Sequence, residues 1–242
     1  MRNLYPILIT SIAGCATMLG NVLLFIDLKY KERLISFSLG LSFIVMFLIS
    51  VVELIPEGMK LAYATFSIVE LFLSGVFLLL AGYFIVSIID KNIANQNTLY
   101  RVGILSMISL LIHNIPEGMI CAITTSTNIR LGLEMSFLIL IHNIPEGICI
   151  SLPIYYATKS KRKAFIYTLI SGMGEIFGAL ITMFILRRFI NNYMLYVILL
   201  ITAGIMITLS IKKILIEGLS FKKYKWFVGG IIIGIIILII TL

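Results

Sequence analysis

Residues 102–125 read VGILSMISLLIHNIPEGMICAITT, twenty-four residues with one formal charge, Glu117, near the middle. Residues 132–156, GLEMSFLILIHNIPEGICISLPIYY, form a second apolar run, of twenty-five residues, with Glu134 near its start and Glu146 in its middle part. A hydrocarbon layer about 30 Å thick takes roughly 20 helical residues to cross. Both runs are long enough, and neither alternates apolar with polar residues as a barrel strand would. Six further runs share these properties. The chain is therefore expected to cross the membrane eight times, at about 4–26, 34–57, 66–89, 102–125, 132–156, 164–186, 194–211 and 225–242. The expected fold class is an all-α polytopic membrane protein, with residues 1–242 forming one integral membrane domain.

Composition agrees. Of the 242 residues 60% are hydrophobic and 12% charged, about half the roughly 25% of a soluble domain. Mean hydropathy is +1.11. A soluble enzyme, a nucleic-acid-binding domain and a disordered chain are excluded. The net charge of +8 reflects bases placed between the apolar runs, where they set orientation. Of the nineteen Lys and Arg, fourteen fall after spans one, three, five and seven and five fall on the opposite side. The positive-inside rule then predicts both termini outside the cytoplasm. The run from Leu4 to Ile26 exceeds a signal-peptide core and lacks a small-residue cleavage site, so it is expected to be span one. Cys15, Cys121 and Cys149 lie in apolar runs without zinc-like spacing, so no disulfide framework is expected. The longest connections, around 90–101 and 212–224, are about a dozen residues each.

The octapeptide LIHNIPEG occurs at 111–118 and again at 140–147, an offset of 29, and holds the only two histidines, His113 and His142. A partial copy, ELIPEGM, occupies 53–59. The midpoint between the copies falls near Ile129, so each lies about 11 helical residues from the outer surface, or roughly 17 Å. Half the hydrocarbon layer is about 15 Å. Both copies are thus expected at the midplane, facing each other on antiparallel helices. At 100° per residue, Glu117 lies at roughly 40° from His113 and Asn114 at roughly 100°. His142, Asn143 and Glu146 repeat that order. A carboxylate between an imidazole and an amide can serve both neighbours, which allows two adjacent metal positions bridged by Glu117 and Glu146. Pro116 and Pro145 each free a carbonyl one turn back, at Ile112 and Ile141. In lipid this is tolerated only where the freed group faces protein or water. Two glutamates buried together repel each other, and a divalent cation removes the repulsion.

Glu175, central to span six in SGMGEIFGAL, reads as a third carboxylate on the asparagine side, with glycines that allow close helix approach. On spacing alone Met46 reads as packing. Glu53 and Glu57 fit either attraction of cations at an entrance or a solvated interfacial role, while Glu70 and Glu134 fit the latter. Cys121 and Cys149 read as small core residues. Imidazole, carboxylate and amide without thiolate suit first-row divalent metals such as zinc, iron(II) or manganese better than copper(I) or calcium.

HNIPEG on span four, HNIPEG on span five and SGMGE on span six resemble the signature of the ZIP (Zrt/Irt-like) metal transporters, over essentially the whole chain. The resemblance implies a bundle with inverted symmetry, an elevator-like movement of spans one, four, five and six, and dimerisation. It also implies that His113, Glu117, His142 and Glu146 form a first metal site, and that Asn114, Asn143 and Glu175 form a second with the shared glutamates. Met46 falls where the family has a methionine above the first site. The loop after span three departs from many members, being short and free of histidine.

The leading expectation is uptake of divalent metal (zinc first, then iron, manganese or cadmium) through a cell membrane into the cytoplasm, with the metal as substrate and no cofactor. The expected partners are the metal ions, lipid and a second copy, not nucleic acid. An intramembrane metal hydrolase is the competing class, because a bound metal can activate water. It is weakened by the absence of HExxH. A metal sensor would need an output domain, which the chain does not contain.

Overall fold

The computed structural model describes residues 4–25, 31–63, 65–92, 97–185 and 191–241. Among these there are only helices, and they group into eight rods. They are α1 (Leu4–Phe25), α2 (Glu32–Ala62), α3 (Ile68–Asn92), α4 (Thr98–Thr127), α5 (Ile129–Thr158), α6 (Lys161–Phe184), α7 (Asn192–Ser220) and α8 (Tyr224–Thr241). The first seven are long and apolar enough to cross a bilayer, and α8 is a shorter apolar helix.

The starts of these rods are chemically marked. Asn97, Asn128, Ser160 and Asn191 each accept a hydrogen bond from a backbone N–H of the following turn, at 2.8 to 3.3 Å, which satisfies otherwise orphaned donors. Asn128 alone joins α4 to α5, so the two form a tight antiparallel hairpin. Both helices run unbroken through their prolines, Pro116 in α4 and Pro145 and Pro153 in α5. His113 lies fifteen residues before Asn128 and His142 fourteen after it, so the turn brings both motif copies to one depth.

Two helix groups result. Helices α1, α4, α5 and α6 pack mainly on one another, and α2, α3, α7 and α8 form the other group. They meet chiefly where α2 touches α5 and α4 touches α7. The main apolar cluster, including Leu39, Met46, Leu105, Ile150, Leu200 and Met206, lies across that junction. Outward-facing positions are apolar too: Phe72, Phe77 and Phe84 on α3 and Ile232, Ile236 and Ile239 on α8 are exposed. That pattern fits a lipid-facing surface.

Close approach within the first group depends on absent side chains. A Cβ on Gly174 of α6 would come within 2.6 Å of the Leu111 carbonyl oxygen on α4 and 2.9 Å of Asn114 Cβ. A Cβ on Gly14 of α1 would come within 2.6 Å of the Gly172 carbonyl oxygen. Gly174→Leu is therefore expected to separate α4 from α6 and cost about 1–3 kcal/mol, seen as a lower midpoint of thermal unfolding in detergent. An unchanged midpoint would contradict this crossing.

Three features differ from the sequence reading. The helix carrying span seven does not stop at 211 but continues through Lys212 and Lys213 to Ser220, so the expected loop over 212–224 shrinks to a short turn before Tyr224. The connection around 90–101 is likewise cut back, because α3 reaches Asn92 and α4 begins at Thr98. Finally, α2 widens to a π-turn over Ile49–Leu54, where the Ile55 N–H bonds to the Ser50 carbonyl.

Candidate metal centre

The α4/α5 hairpin brings the duplicated polar residues together. His113 is buried, with Nε2 3.5 Å from Glu117 Oε2 and 4.0 Å from Glu146 Oε1. Glu146 is 1% exposed and Glu117 10%. One histidine therefore faces a carboxylate from each motif copy. The side chain of His142 lies outside the described residues. Among those described, no three His, Cys, Asp or Glu side chains close on one point.

The amide side is more tightly built. Asn114 Nδ2 donates to the Ser171 carbonyl at 3.1 Å. Asn143 Nδ2 donates to the Ala13 carbonyl at 3.0 Å and to Glu175 Oε1. All three partners are pure acceptors, so each amide must turn its nitrogen toward them. Its oxygen then points elsewhere. Both Oδ1 atoms are buried and have no hydrogen-bond partner among the described residues. Leaving a buried carbonyl oxygen unsatisfied costs roughly 1–3 kcal/mol, and one such oxygen stands on each motif copy. Glu175 is fully buried on α6 and joins Asn143 directly, which puts the third carboxylate on the amide side.

Access comes from the end of the bundle where α2 finishes. A small cavity reaches His113 and Glu117 and is lined also by Glu53, Leu54, Ile120 and Met135. Those last four residues also line a larger cavity of about 450 Å³ that extends past Pro56, Glu57 and Leu61. The π-turn carries half-buried Glu53 into both cavities. Glu57 is half exposed and pairs with Lys60 at 3.6 Å. Met46 is fully buried in the main apolar cluster and does not line the cavity at His113. Cys121 packs with Ala13 and Ile139. Glu70 holds the start of α3 through the Ser67 N–H and hydroxyl, and Glu134 pairs with Arg130 on the exposed surface.

Sequence reasoning did not reach the carbonyls of Ala13 and Ser171, which orient the two amides. Main-chain acceptors leave no side-chain signature. The only hint is the small residues that let α1 and α6 approach: Gly14 beside Ala13, and Gly172 and Gly174 beside Ser171.

Comparison with known proteins supplies the context. Residues 90–240 match the family described as ZIP Zinc transporter. A Zinc transporter ZupT of Streptococcus mutans is 32% identical over 251 residues, covering 97% of this chain and 95% of its own length. One of Chlorobium phaeovibrioides is 33% identical over 262 residues, covering 100% and 98%. One of Escherichia coli O7:K1 is 35% identical over 218 residues, covering 87% and 85%. The chain belongs to the ZIP family: it is a multi-pass, all-helical membrane protein that transports metal ions and is not an enzyme.

Proposed function

We propose that this protein carries divalent metal, zinc foremost with iron, manganese and cadmium as further substrates, through a midplane site into the cytoplasm. His113, Glu117, His142 and Glu146 hold one ion, and Asn114, Asn143 and Glu175 hold a second with the shared glutamates. The observation that carries this reading is the pair of buried amide oxygens, one from each motif copy, whose own N–H groups are committed elsewhere. Three buried carboxylates beside them supply negative charge that is costly in low dielectric without a cation. Nitrogen and oxygen donors without thiolate select first-row divalent metals, and zinc is the metal named for the relatives.

Direction follows from charge. Fourteen of nineteen bases fall in sequence after spans one, three, five and seven, the side opposite the cavity at the end of α2, and that side is assigned to the cytoplasm. The cavity with Glu53 then opens outward and delivers the ion to Glu117. The membrane is the cell membrane.

The test is uptake of radioactive zinc by proteoliposomes. Wild type should accumulate zinc above protein-free vesicles, and Asn114→Leu with Asn143→Leu should lower the rate on the order of tenfold or more. Failure of the folded wild type to move zinc, iron, manganese or cadmium would overturn the proposal.

A further inference from the structure

The turn from α7 into α8 consists wholly of aromatic and basic residues. It reads FKKYKWF over 221–227, and the midplane centre uses none of it. Phe227 is buried, and Phe221 packs half-buried against the main apolar cluster. The other two rings are exposed, Tyr224 by 56% and Trp226 by 45%. The turn is fastened to α2. Ser36 Oγ donates to the carbonyl oxygens of Gly218 at 3.3 Å and Lys223 at 3.4 Å. A Cβ on Gly40 of α2 would come within 2.1 Å of the Phe227 carbonyl oxygen.

The start of α2 therefore shares one surface with the turn. Lys223 Nζ lies 3.3 Å from Glu32 Oε2, and the Arg33 guanidinium lies 5.8 Å from the centroid of the Trp226 ring. Segments 32–33 and 221–227 together hold four bases and one acid. That acid is paired with Lys223, which leaves the excess positive charge on Arg33, Lys222 and Lys225, all three exposed. Lys222 carries its charge at a backbone cost. Its φ is 53°, a left-handed conformation that helix ends usually give to Gly or Asn. Among the described residues one other non-glycine shares it, Lys159 at φ 57°, which ends α5. A cation is kept at both turns although the backbone favours another residue.

Tyr and Trp rings settle at the headgroup level of a bilayer. Long basic side chains beside them keep their stems among apolar groups and hold the charge at the interface. We propose that Arg33, Lys222 and Lys225, with Tyr224 and Trp226, bind the headgroup of an anionic phospholipid. A soluble acidic partner would find the same charges, but it would leave unused two exposed rings at the ends of apolar helices. The inference stands apart from the transport reading, because it requires neither the midplane centre nor a direction of transport. Each lysine brought to an anionic bilayer surface contributes about fivefold in binding.

Trp226 is the chain's one tryptophan, so its fluorescence reads this surface alone. The full-length protein is placed in vesicles of mixed phosphatidylglycerol and phosphatidylcholine, with bromine on the acyl chains of one lipid or of the other. Bromine quenches an indole only at close range, and the two membranes are otherwise identical. Brominated phosphatidylglycerol should quench Trp226 as though enriched about fivefold or more over its share of the membrane. Lys222→Gln with Lys225→Gln should bring the two lipids close to equality. Both lysines are exposed, so this variant should keep the wild-type unfolding midpoint in pure phosphatidylcholine. Lys161→Gln with Arg162→Gln, two exposed bases at the start of α6, should retain the preference. Inorganic phosphate at matched ionic strength should displace nothing, because it lacks the acyl chains that hold a headgroup beside the rings. Equal quenching by the two lipids in wild type, or an unchanged preference in the Lys222 and Lys225 variant, overturns the proposal. So does an equal loss in the α6 variant, which would mean a general surface potential, or displacement by phosphate, which would mean a free anion.

Discussion

Zinc uptake is expected to fall about 100-fold or more when Glu146 is replaced by Ala, and by a similar factor for Glu117→Ala. Loss of an outer-shell partner of a metal ligand already costs about 10–100-fold, and these carboxylates are proposed to touch the ion directly. Each faces His113, at 4.0 and 3.5 Å respectively, so neither can be spared without leaving the imidazole without an anionic neighbour from that motif copy. Glu146→Gln separates charge from shape. The amide fills the same volume and keeps hydrogen-bonding capacity, but it offers no negative charge to a divalent ion in low dielectric. Its uptake should be nearly as low as that of Glu146→Ala. Stability in detergent should move differently. Without metal, removing one of several buried carboxylates relieves like-charge repulsion, so Glu146→Gln should unfold at a temperature no lower than wild type. Added zinc should raise the midpoint of wild type through binding to the native state and leave that of Glu146→Gln unmoved. Uptake above half the wild-type rate in Glu146→Gln would refute the role given to this carboxylate.

Much of this architecture was legible because lipid imposes few rules. Apolar runs near twenty residues can only be helices, and a duplicated octapeptide on consecutive antiparallel spans must meet at one depth. The encounter of His113 with Glu146 follows from the offset of 29 and a short turn, which the structure provides at Asn128. The end of α7 was not legible. Hydropathy falls at Lys212 and Lys213, but neither residue breaks a helix. The lysines remain within it because each has a partner: Lys213 pairs with Asp90, and Lys212 lies 3.9 Å from the centroid of the Tyr83 ring and bonds its hydroxyl. Those partners lie on α3, more than a hundred residues earlier, where no local pattern points to them. The π-turn in α2 was hidden for a different reason. Pro56 marks a perturbed helix, but whether the preceding turn kinks or widens depends on what packs around it. The direction of each asparagine amide depended on backbone carbonyls of α1 and α6, which pattern and spacing do not encode.

The second large effect is expected at Asp90, outside the proposed metal centre. Its two oxygens bind Arg101 Nη2 of α4 and Lys213 Nζ of α7, each at 2.5 Å, with the three side chains 19–24% exposed. One carboxylate thus joins α3 to its bundle mate α7 and also reaches across to the other helix group at the basic end. Removing one partner of a buried ion pair costs about 3–5 kcal/mol, because the remaining charge stays desolvated. Here Asp90→Ala would leave two cations facing each other. A loss of about 3 kcal/mol is expected, allowing for the partial exposure of all three groups, together with a clear drop in the unfolding midpoint in detergent. The cause can be separated from general damage. Adding Arg101→Met and Lys213→Met to Asp90→Ala removes the unbalanced charges and should recover most of the lost stability, since apolar replacement of a buried ionic group is often neutral. A double-mutant cycle between Asp90 and Arg101 should show coupling of more than about 1 kcal/mol, above the typical range for exposed pairs. If Asp90→Ala unfolds at the wild-type temperature, or if the triple variant is no more stable than Asp90→Ala, the ion-pair hub does not hold the two groups together.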